Sequence, residues 1–216
     1  YTGSPCFLLA YAQSSANQVI PTVSSKLVAT DYNNLGKVAG QPATVSIATL
    51  LDTDNAATGS IGTRDADGYY TATILSASAF PVGSGMRAVG LQGYFTQVTP
   101  AANRYTVSVI KAVTGDNVRR TVVDPAKCGK CHEWFEGHGG NRVYETQLCV
   151  TCHNPNLSTS GRTITDAKLS GYAFDAVQTA ILLDWDPAFD KTTVGYSLTF
   201  PEFTNNFKDL IHGVHA

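Results

Sequence analysis

Hydrophobic and polar positions alternate along the first half of the chain in short segments of the kind that form β-strands. These segments are rich in β-branched and aromatic residues, and they cover residues 43–51, 68–75, 86–98 and 104–113. Polar turn sequences lie between them. Short strands at this spacing are typical of an antiparallel β-sandwich or a small barrel, so we predict a mainly β domain over residues 1–123.

An apolar stretch, C6-F-L-L-A-Y-A12, precedes these segments. We predict that it forms a buried N-terminal strand, and the hydrophobic remnant of a signal peptide is the alternative. The chain begins at Tyr1 and not at Met, so we expect a processed form or a fragment of an exported protein.

The pattern changes near Asp124-Pro125, where we place the start of a second, loop-rich and partly helical domain, residues 124–216. Apolar side chains recur at helical spacing over residues 166–183. A second helix is predicted from Thr204 onwards, with an apolar side formed by Phe207, Leu210, Ile211 and Val214. A segment this short buries little apolar surface by itself, so something else must supply its core.

The charge and length of the chain exclude some classes of function. The chain has 216 residues, 43% of them hydrophobic, and a formal net charge of −2. Such a chain has no strong attraction for nucleic acid, and we expect no nucleic-acid partner. No apolar run approaches the roughly 18 residues that a transmembrane helix needs.

The second half contains all five histidines and four of the five cysteines. C128-G-K-C-H132 and C149-V-T-C-H153 are both C-x-x-C-H, the attachment signature of c-type haem. The two thiols of such a motif can form thioethers to the haem vinyl groups, and the histidine then lies under the ring and binds iron. The sequence therefore predicts two covalently bound haem c groups, held by Cys128, Cys131, His132, Cys149, Cys152 and His153.

Two other uses of these cysteines remain open. A zinc site with four cysteine ligands fits the spacing, since 17 residues lie between Cys131 and Cys149. Two disulfides are the other possibility. Neither requires a histidine directly after each second cysteine, so haem is favoured. Cys6 is left over, and a buried core position is its simplest role.

The second axial position of each iron needs a further ligand. The sole methionine, Met86, lies in the β half, which argues against His/Met ligation. The histidines that remain are His138, His212 and His215. Four imidazoles complete two irons, so one histidine is spare: it serves no iron, or it reaches a haem outside this chain.

Several motifs together resemble the OmcA/MtrC family of outer-surface multihaem c-type cytochromes. They are V122-V-D-P-A-K-C-G-K-C-H132, H138-G-G-N-R142, Q147-L-C-V-T-C-H-N154 and F207-K-D-L-I-H-G-V-H-A216, with D67-G-Y-Y-T71 and G90-L-Q-G-Y-F95 in the β half. The resemblance implies β-barrel domains beside multihaem domains, proximal ligands His132 and His153, and distal ligands from His138 and the closing I-H-G-V-H. Members of that family carry more haems than two, so the chain resembles a fragment or a dihaem relative.

Individual roles follow from these expectations. The linker 133–138 is predicted to be helical, which would leave His132 and His138 too close to oppose each other across one iron, so we expect His138 to cap the second haem; an extended linker, which could span that gap, is the alternative. One of His212 and His215 then caps the first. Aromatic candidates for packing on porphyrin are Trp134, Phe135 and Tyr144. Cationic candidates for pairing with haem propionates, with a solvated surface charge as the alternative, are Lys127, Lys130, Arg142 and Arg162.

The predicted function is electron transfer by a c-type cytochrome with two bis-histidine haems, at the cell surface or outside the cell rather than in the periplasm. Six-coordinate irons leave no position for a substrate, so we predict an electron carrier and not an enzyme. Expected partners are other cytochromes, copies of the chain itself, or acceptors such as metal oxides. The alternatives are a filament subunit that shares a haem ligand with its neighbour, and a dihaem peroxidase or reductase with an open iron.

Overall fold

The computed structural model describes residues 5–13, 31–34, 41–75, 78–157, 170–185, 187–192 and 204–216. The strands are β1 (Cys6–Gln13), β2 (Ala43–Ser46), β3 (Gly59–Ile61), β4 (Ala72–Ile74), β5 (Ser84–Gln92), β6 (Tyr94–Gln97), β7 (Ala102–Tyr105), β8 (Val109–Ala112), β9 (Glu136–Gly137) and β10 (Arg142–Val143). The helices are α1 (Ile47–Leu51), α2 (Pro125–Cys128), α3 (Thr146–Cys149), α4 (Ala176–Trp185) and α5 (Phe207–His215), with a 3₁₀ turn at Thr53–Asn55. The chain divides into two compact units, residues 1–157 with 205–216, and residues 158–204.

An antiparallel sheet with the strand order β2-β1-β5-β8 forms the framework of the first unit. The ribbons β3–β4, β6–β7 and β9–β10 are two-stranded. The mainly β prediction is confirmed for the described residues. Among those residues the four-stranded sheet ends at β2 and β8, so the described strands do not close into a barrel.

Strand β1 is buried along nearly its whole length, which confirms the prediction of a buried N-terminal strand. One face of the sheet presents Leu9, which packs with Val45 and Leu50. The other face presents Leu8 beside Gly90 of β5, and the side chain of Leu148 fills the space that a Cβ at Gly90 would occupy. Because both faces are covered, the strand is apolar at successive positions instead of alternating ones.

Two segments that the sequence predicts as single strands are each interrupted in the structure, one by a helix cap and one by a turn. Residues 43–51 do not form one strand, because the Ser46 side chain accepts a hydrogen bond from the Ala48 N–H and starts α1. Residues 86–98 are interrupted at Gly93, which separates β5 from β6. Its φ of 120° is a backbone conformation that glycine adopts readily.

Residues 141–157 share the core of the β half. The Val143 N–H donates to Ser108 Oγ at 3.1 Å, and the Ser108 N–H donates to the Val143 carbonyl at 3.0 Å. Val143 and Leu148 are 0% and 1% exposed. The β-sheet therefore supplies the core that this stretch was expected to need from elsewhere. The domain boundary near Asp124 stays a prediction.

The predicted helix 166–183 is interrupted within the described residues, and residues 158–169 lie outside them. Residues 170 and 171 are helical, residues 172–175 are not, and α4 begins after Asp175. The Gln178 N–H donates to the Asp175 carboxylate at 2.8 Å, and the Asp175 N–H donates to Gln178 Oε1 at 3.1 Å. This reciprocal pair is a capping box, which sets the start of the helix. The predicted C-terminal helix is confirmed as α5, which begins at Phe207.

Within the described part of the chain, no helix is both long enough and apolar enough to cross a bilayer.

Candidate haem site

The two C-x-x-C-H motifs fold into the same helical turn. Helix α2 ends at Cys128 and α3 ends at Cys149. In each motif the histidine N–H donates to the carbonyl of the first cysteine at 2.9 Å. In each, the second cysteine N–H donates to the same carbonyl at 3.2 Å. Positions i, i+3 and i+4 of a helical turn lie on one face, so both cysteines and the histidine of each motif share a face.

Caps of the same kind start both turns. The Asp124 carboxylate accepts a hydrogen bond from the Ala126 N–H at 3.0 Å, with Pro125 at the first helical position. The Glu145 carboxylate accepts from the Gln147 N–H at 2.9 Å. An acidic cap before each motif therefore orients a very short helix that has little intrinsic stability.

The imidazole rings of the two motifs each face a histidine from another part of the chain. The ring centroids of His132 and His215 are 5.9 Å apart, with an interplanar angle of 83°. Those of His138 and His153 are 6.1 Å apart, with an angle of 38°. Because a metal–imidazole bond is about 2.0 Å, two rings on opposite sides of one metal ion have centroids about 6 Å apart. Both pairs therefore fit two axial ligands of one iron.

Backbone carbonyls orient two of these rings. His153 Nδ1 lies 3.1 Å from the Asn205 carbonyl oxygen, and His215 Nδ1 lies 2.8 Å from the Ile211 carbonyl oxygen. A carbonyl oxygen only accepts, so Nδ1 carries the proton in each ring and the Nε2 lone pair is left for a metal. A hydrogen bond of this kind is the usual support of a metal-bound histidine.

A tight hairpin presents His138. The linker 133–138 is not the predicted helix, because β9 and β10 pair with Arg142 opposite Gly137. His138 begins the turn with a φ of 55°, and Gly139 and Gly140 follow with φ of 66° and 83°. The Tyr105 ring packs where a Cβ of Gly140 would be, so this glycine also allows a close approach to the β half.

His212 is the histidine without a ring partner among the described residues. It lies on α5 about one turn before His215 and is exposed. None of the described residues makes a hydrogen bond or ring contact with its imidazole. The structure therefore brings four of the five candidate ligands together in two pairs and leaves His212 apart from them.

Burial and one nearby cation set the electrostatics of the second pair. Partial desolvation lowers the pKa of His138, and Arg142 and His153 lower it further. Burial also lowers the pKa of His153, although its hydrogen bonds with Asn205 oppose this shift. Burial raises the pKa of the Cys149 thiol to about 11. Both imidazoles are therefore favoured in the neutral form, which is the form that binds metal.

An aromatic cluster follows the first motif. Phe135 and Tyr144 have ring centroids 4.4 Å apart, and Trp134 and Tyr144 have centroids 5.4 Å apart. The Tyr144 hydroxyl also donates to the Glu133 carbonyl. These side chains pack on one another, and their contact with porphyrin stays a prediction.

The cysteines are not bonded to one another in the structure. All five cysteines are free thiols, so the structure contains neither of the two disulfides. All four motif cysteines are described, yet no group of three or more His, Cys, Asp or Glu among the described residues could hold a metal ion. Cys6 is buried and accepts a hydrogen bond from Gln92 Nε2 at 3.3 Å, which confirms its predicted core position.

Sequence reasoning missed the groups that orient the rings. The carbonyls of Asn205 and Ile211 are backbone atoms, which leave no mark on residue type. It also missed Asn34, whose side-chain amide donates to the Thr151 carbonyl at 3.3 Å and holds the second motif from the β half. Its partner is distant in sequence, so no local pattern could reveal it.

Repeated C-x-x-C-H turns facing paired imidazoles define a c-type cytochrome domain. Residues 120–216 match the family model described as outer membrane cytochrome MtrC/MtrF-like, domains II/IV. This part of the chain is similar to that family, which confirms the resemblance to the OmcA/MtrC cytochromes over residues 120–216. No curated protein and no solved structure matches the chain. The match supports a c-type cytochrome, with haem as the cofactor and electron transfer as the class of function, and its description places the matched family in the outer membrane.

Proposed function

We propose that this chain is an electron carrier with two haem c groups, each covalently attached and each bound by two histidines. The attachment residues are Cys128 and Cys131 for the first haem, and Cys149 and Cys152 for the second. The axial pairs are His132 with His215, and His138 with His153. The observation that carries the proposal is the spacing of these two ring pairs, 5.9 and 6.1 Å, each containing one motif histidine.

Bound haem supplies one-electron redox chemistry. The motif cysteines would attach each group, and the paired histidines would hold its iron from both sides. With no coordination position left for a substrate, outer-sphere electron transfer is favoured over peroxidase or reductase chemistry.

Helix α5 supports the idea that the two haems are neighbours. Its first residue contacts the second motif, since the Phe207 N–H donates to the His153 carbonyl at 3.1 Å. Its last residue, His215, faces His132 of the first motif. Eight residue steps separate the two ends of this helix, a rise of about 12 Å. Two haems held at the two ends of such a short helix would lie close enough for electrons to pass between them directly.

Exposed apolar side chains on α5 support the first haem. Leu210, Ile211 and Val214 are 38%, 36% and 72% exposed, although they form the apolar side of the helix. The first motif is also exposed at Cys131 and His132. A porphyrin attached to that motif and bound by His215 would cover apolar surface that the protein alone leaves in water.

The expected partners are donors and acceptors of electrons at the cell surface, such as other cytochromes, copies of this chain, or metal oxides. A net charge of −2 gives no strong preference for a charged partner.

A second candidate function is a subunit of a haem filament, and His212 favours it. This exposed imidazole lies on α5 about one turn before His215 and could ligate a haem of a neighbouring copy. Cys6 gives no support to this alternative, because its thiol is buried. Light scattering and negative-stain microscopy of the native chain separate the two: a monomer at every concentration removes the filament, and ordered polymers that His212→Ala abolishes support it.

Loss of single histidines tests the ligand assignment. In haem-loaded protein we expect two low-spin haems and no carbon monoxide binding after reduction. His215→Ala opens the first iron and His138→Ala opens the second, so each variant binds about one equivalent of carbon monoxide. His212→Ala is the matched control, because it removes an imidazole from the same helix and leaves both irons closed. Carbon monoxide binding by His212→Ala and none by His215→Ala would reverse the assignment on α5.

A further inference from the structure

Helix α5, all of which the structure describes, has one buried residue, and this residue lies at the opposite end of the helix from His215. Phe207 is 8% exposed, whereas residues 208–215 are all exposed. A helix of nine residues has little stability of its own. The place of its far end therefore depends on how its first residue is held.

A set of contacts holds the start of α5 on the second motif. The Phe207 N–H donates to the His153 carbonyl at 3.1 Å, and the two rings have centroids 6.2 Å apart. The Asn205 N–H donates to the Leu157 carbonyl at 3.0 Å, and the Asn205 carbonyl lies beside His153 Nδ1. The beginning of the helix is thus tied to the backbone and to the ring of one motif histidine.

The second motif is a firm support for this contact, because the β half holds it. The Leu148 side chain fills the space beside Gly90, and the buried Thr151 accepts a hydrogen bond from the Asn34 side chain through its carbonyl. The other end of α5 has no buried residue and faces the first motif through the His215 ring. The position of His215 is therefore set from the second motif.

We propose that Phe207 is a positioning residue for the first haem, because by anchoring α5 on the second motif it keeps His215 at the iron of the first haem. The proposal rests on the proposed function, since it requires haem at both motifs. A ligand that is tethered in place acts at a high effective concentration, and this concentration falls when the tether becomes loose. Loss of the anchor therefore frees the first iron, although Phe207 itself contacts a ligand of the second.

Carbon monoxide binding to the reduced, haem-loaded protein tests this, because carbon monoxide binds an iron only where an axial histidine has left. Phe207→Ala removes the ring and keeps the N–H. Phe207→Pro removes both contacts with His153. Proline is favoured at the first position of a helix, and Asn206, with a φ of −57° and a ψ of 134°, has the extended backbone that suits a residue before proline.

We expect no carbon monoxide binding by the unmutated protein, partial binding by Phe207→Ala and about one equivalent by Phe207→Pro. Phe207→Leu keeps an apolar side chain at this position and should leave the iron closed. The comparison of Phe207→Leu with Phe207→Ala decides the question if Phe207→Pro does not load haem.

A double variant shows which iron opens. His215→Ala already opens the first iron, so the addition of Phe207→Ala should leave the total at about one equivalent of carbon monoxide. Two equivalents in the double variant would mean that Phe207 acts on His153 and the second iron, and would overturn the inference.

Lys208→Ala is the matched control, since it changes the neighbouring, exposed residue of the same helix and should leave both irons closed. Carbon monoxide binding by Phe207→Ala and Phe207→Pro that stays at the level of this control would also overturn the inference. An unmutated protein without two low-spin haems would instead refute the proposed function.

Discussion

The two C-x-x-C-H turns have the same backbone and opposite surroundings. The first turn, residues 128–132, is mostly exposed, whereas the second is flanked by the buried residues Leu148, Val150, Thr151 and Asn154. The second turn therefore has a protein core before any cofactor is considered. The first turn has few buried residues around it, so the proposed haem and His215 would be its main support. One sequence motif can thus be supported in two ways, by the surrounding fold or by its own cofactor.

A polar segment of the β half explains the difference. Asn34 accepts a hydrogen bond from the Tyr11 N–H of β1 at 2.7 Å, and its amide donates to the Thr151 carbonyl. Asn156 in turn donates to the Tyr32 carbonyl at 2.8 Å. The buried segment 31–34 thus joins the central sheet to the second motif, and the first motif has no equivalent connection among the described residues.

The largest expected effect comes from replacing the residue before the first cysteine of the second motif, compared with the same replacement in the first motif. Leu148→Ala removes a side chain that fills the space beside Gly90, so it should lower the free energy of unfolding by about 2–5 kcal/mol. Lys127→Ala changes the equivalent position of the first motif, which is exposed, and should stay within about 0.5 kcal/mol. Denaturant unfolding of the haem-loaded protein measures both. Equal losses in the two variants would contradict the contrast between the turns.

The sequence was most informative where chemistry is local. Both haem motifs and the C-terminal helix could be predicted because spacing within a few residues determines them. The assignment of His138 to the second motif rested on a helical linker that is in fact a hairpin, so its basis was wrong although the structure places His138 beside His153.

The ring partners depend on long-range packing, which residue type does not encode. His212 and His215 are about one turn apart on the same helix, so the sequence could not tell which one faces His132. Equally, nothing local to Leu148 indicated that Gly90 would leave space for it. These features depend on how the haem segment docks on the sheet.

Removing one haem attachment at a time should show whether each turn is stabilised by its haem or by packing on the sheet. Cys128→Ser with Cys131→Ser prevents attachment at the first motif, and we expect fast amide hydrogen exchange over residues 128–132. Cys149→Ser with Cys152→Ser removes the second attachment, yet amides of residues 146–154 should remain slow to exchange because their packing on the sheet persists. Exchange followed by mass spectrometry gives both results. Fast exchange over residues 146–154 would mean that haem, and not the sheet, holds this turn.

The smallest expected effect is spectroscopic and needs no mutation. The His132 and His215 rings are nearly perpendicular at 83°, whereas the His138 and His153 rings are inclined by 38°. Perpendicular rings donate to different iron d orbitals and bring their energies together, while more parallel rings raise one orbital above the other. We therefore expect two distinct low-spin ferric signals, with the larger maximum g value from the first haem. His215→Ala should remove the signal of the first haem and keep that of the second. A single signal from the unmutated protein with both haems loaded would show that the two axial pairs are alike and would contradict the prediction.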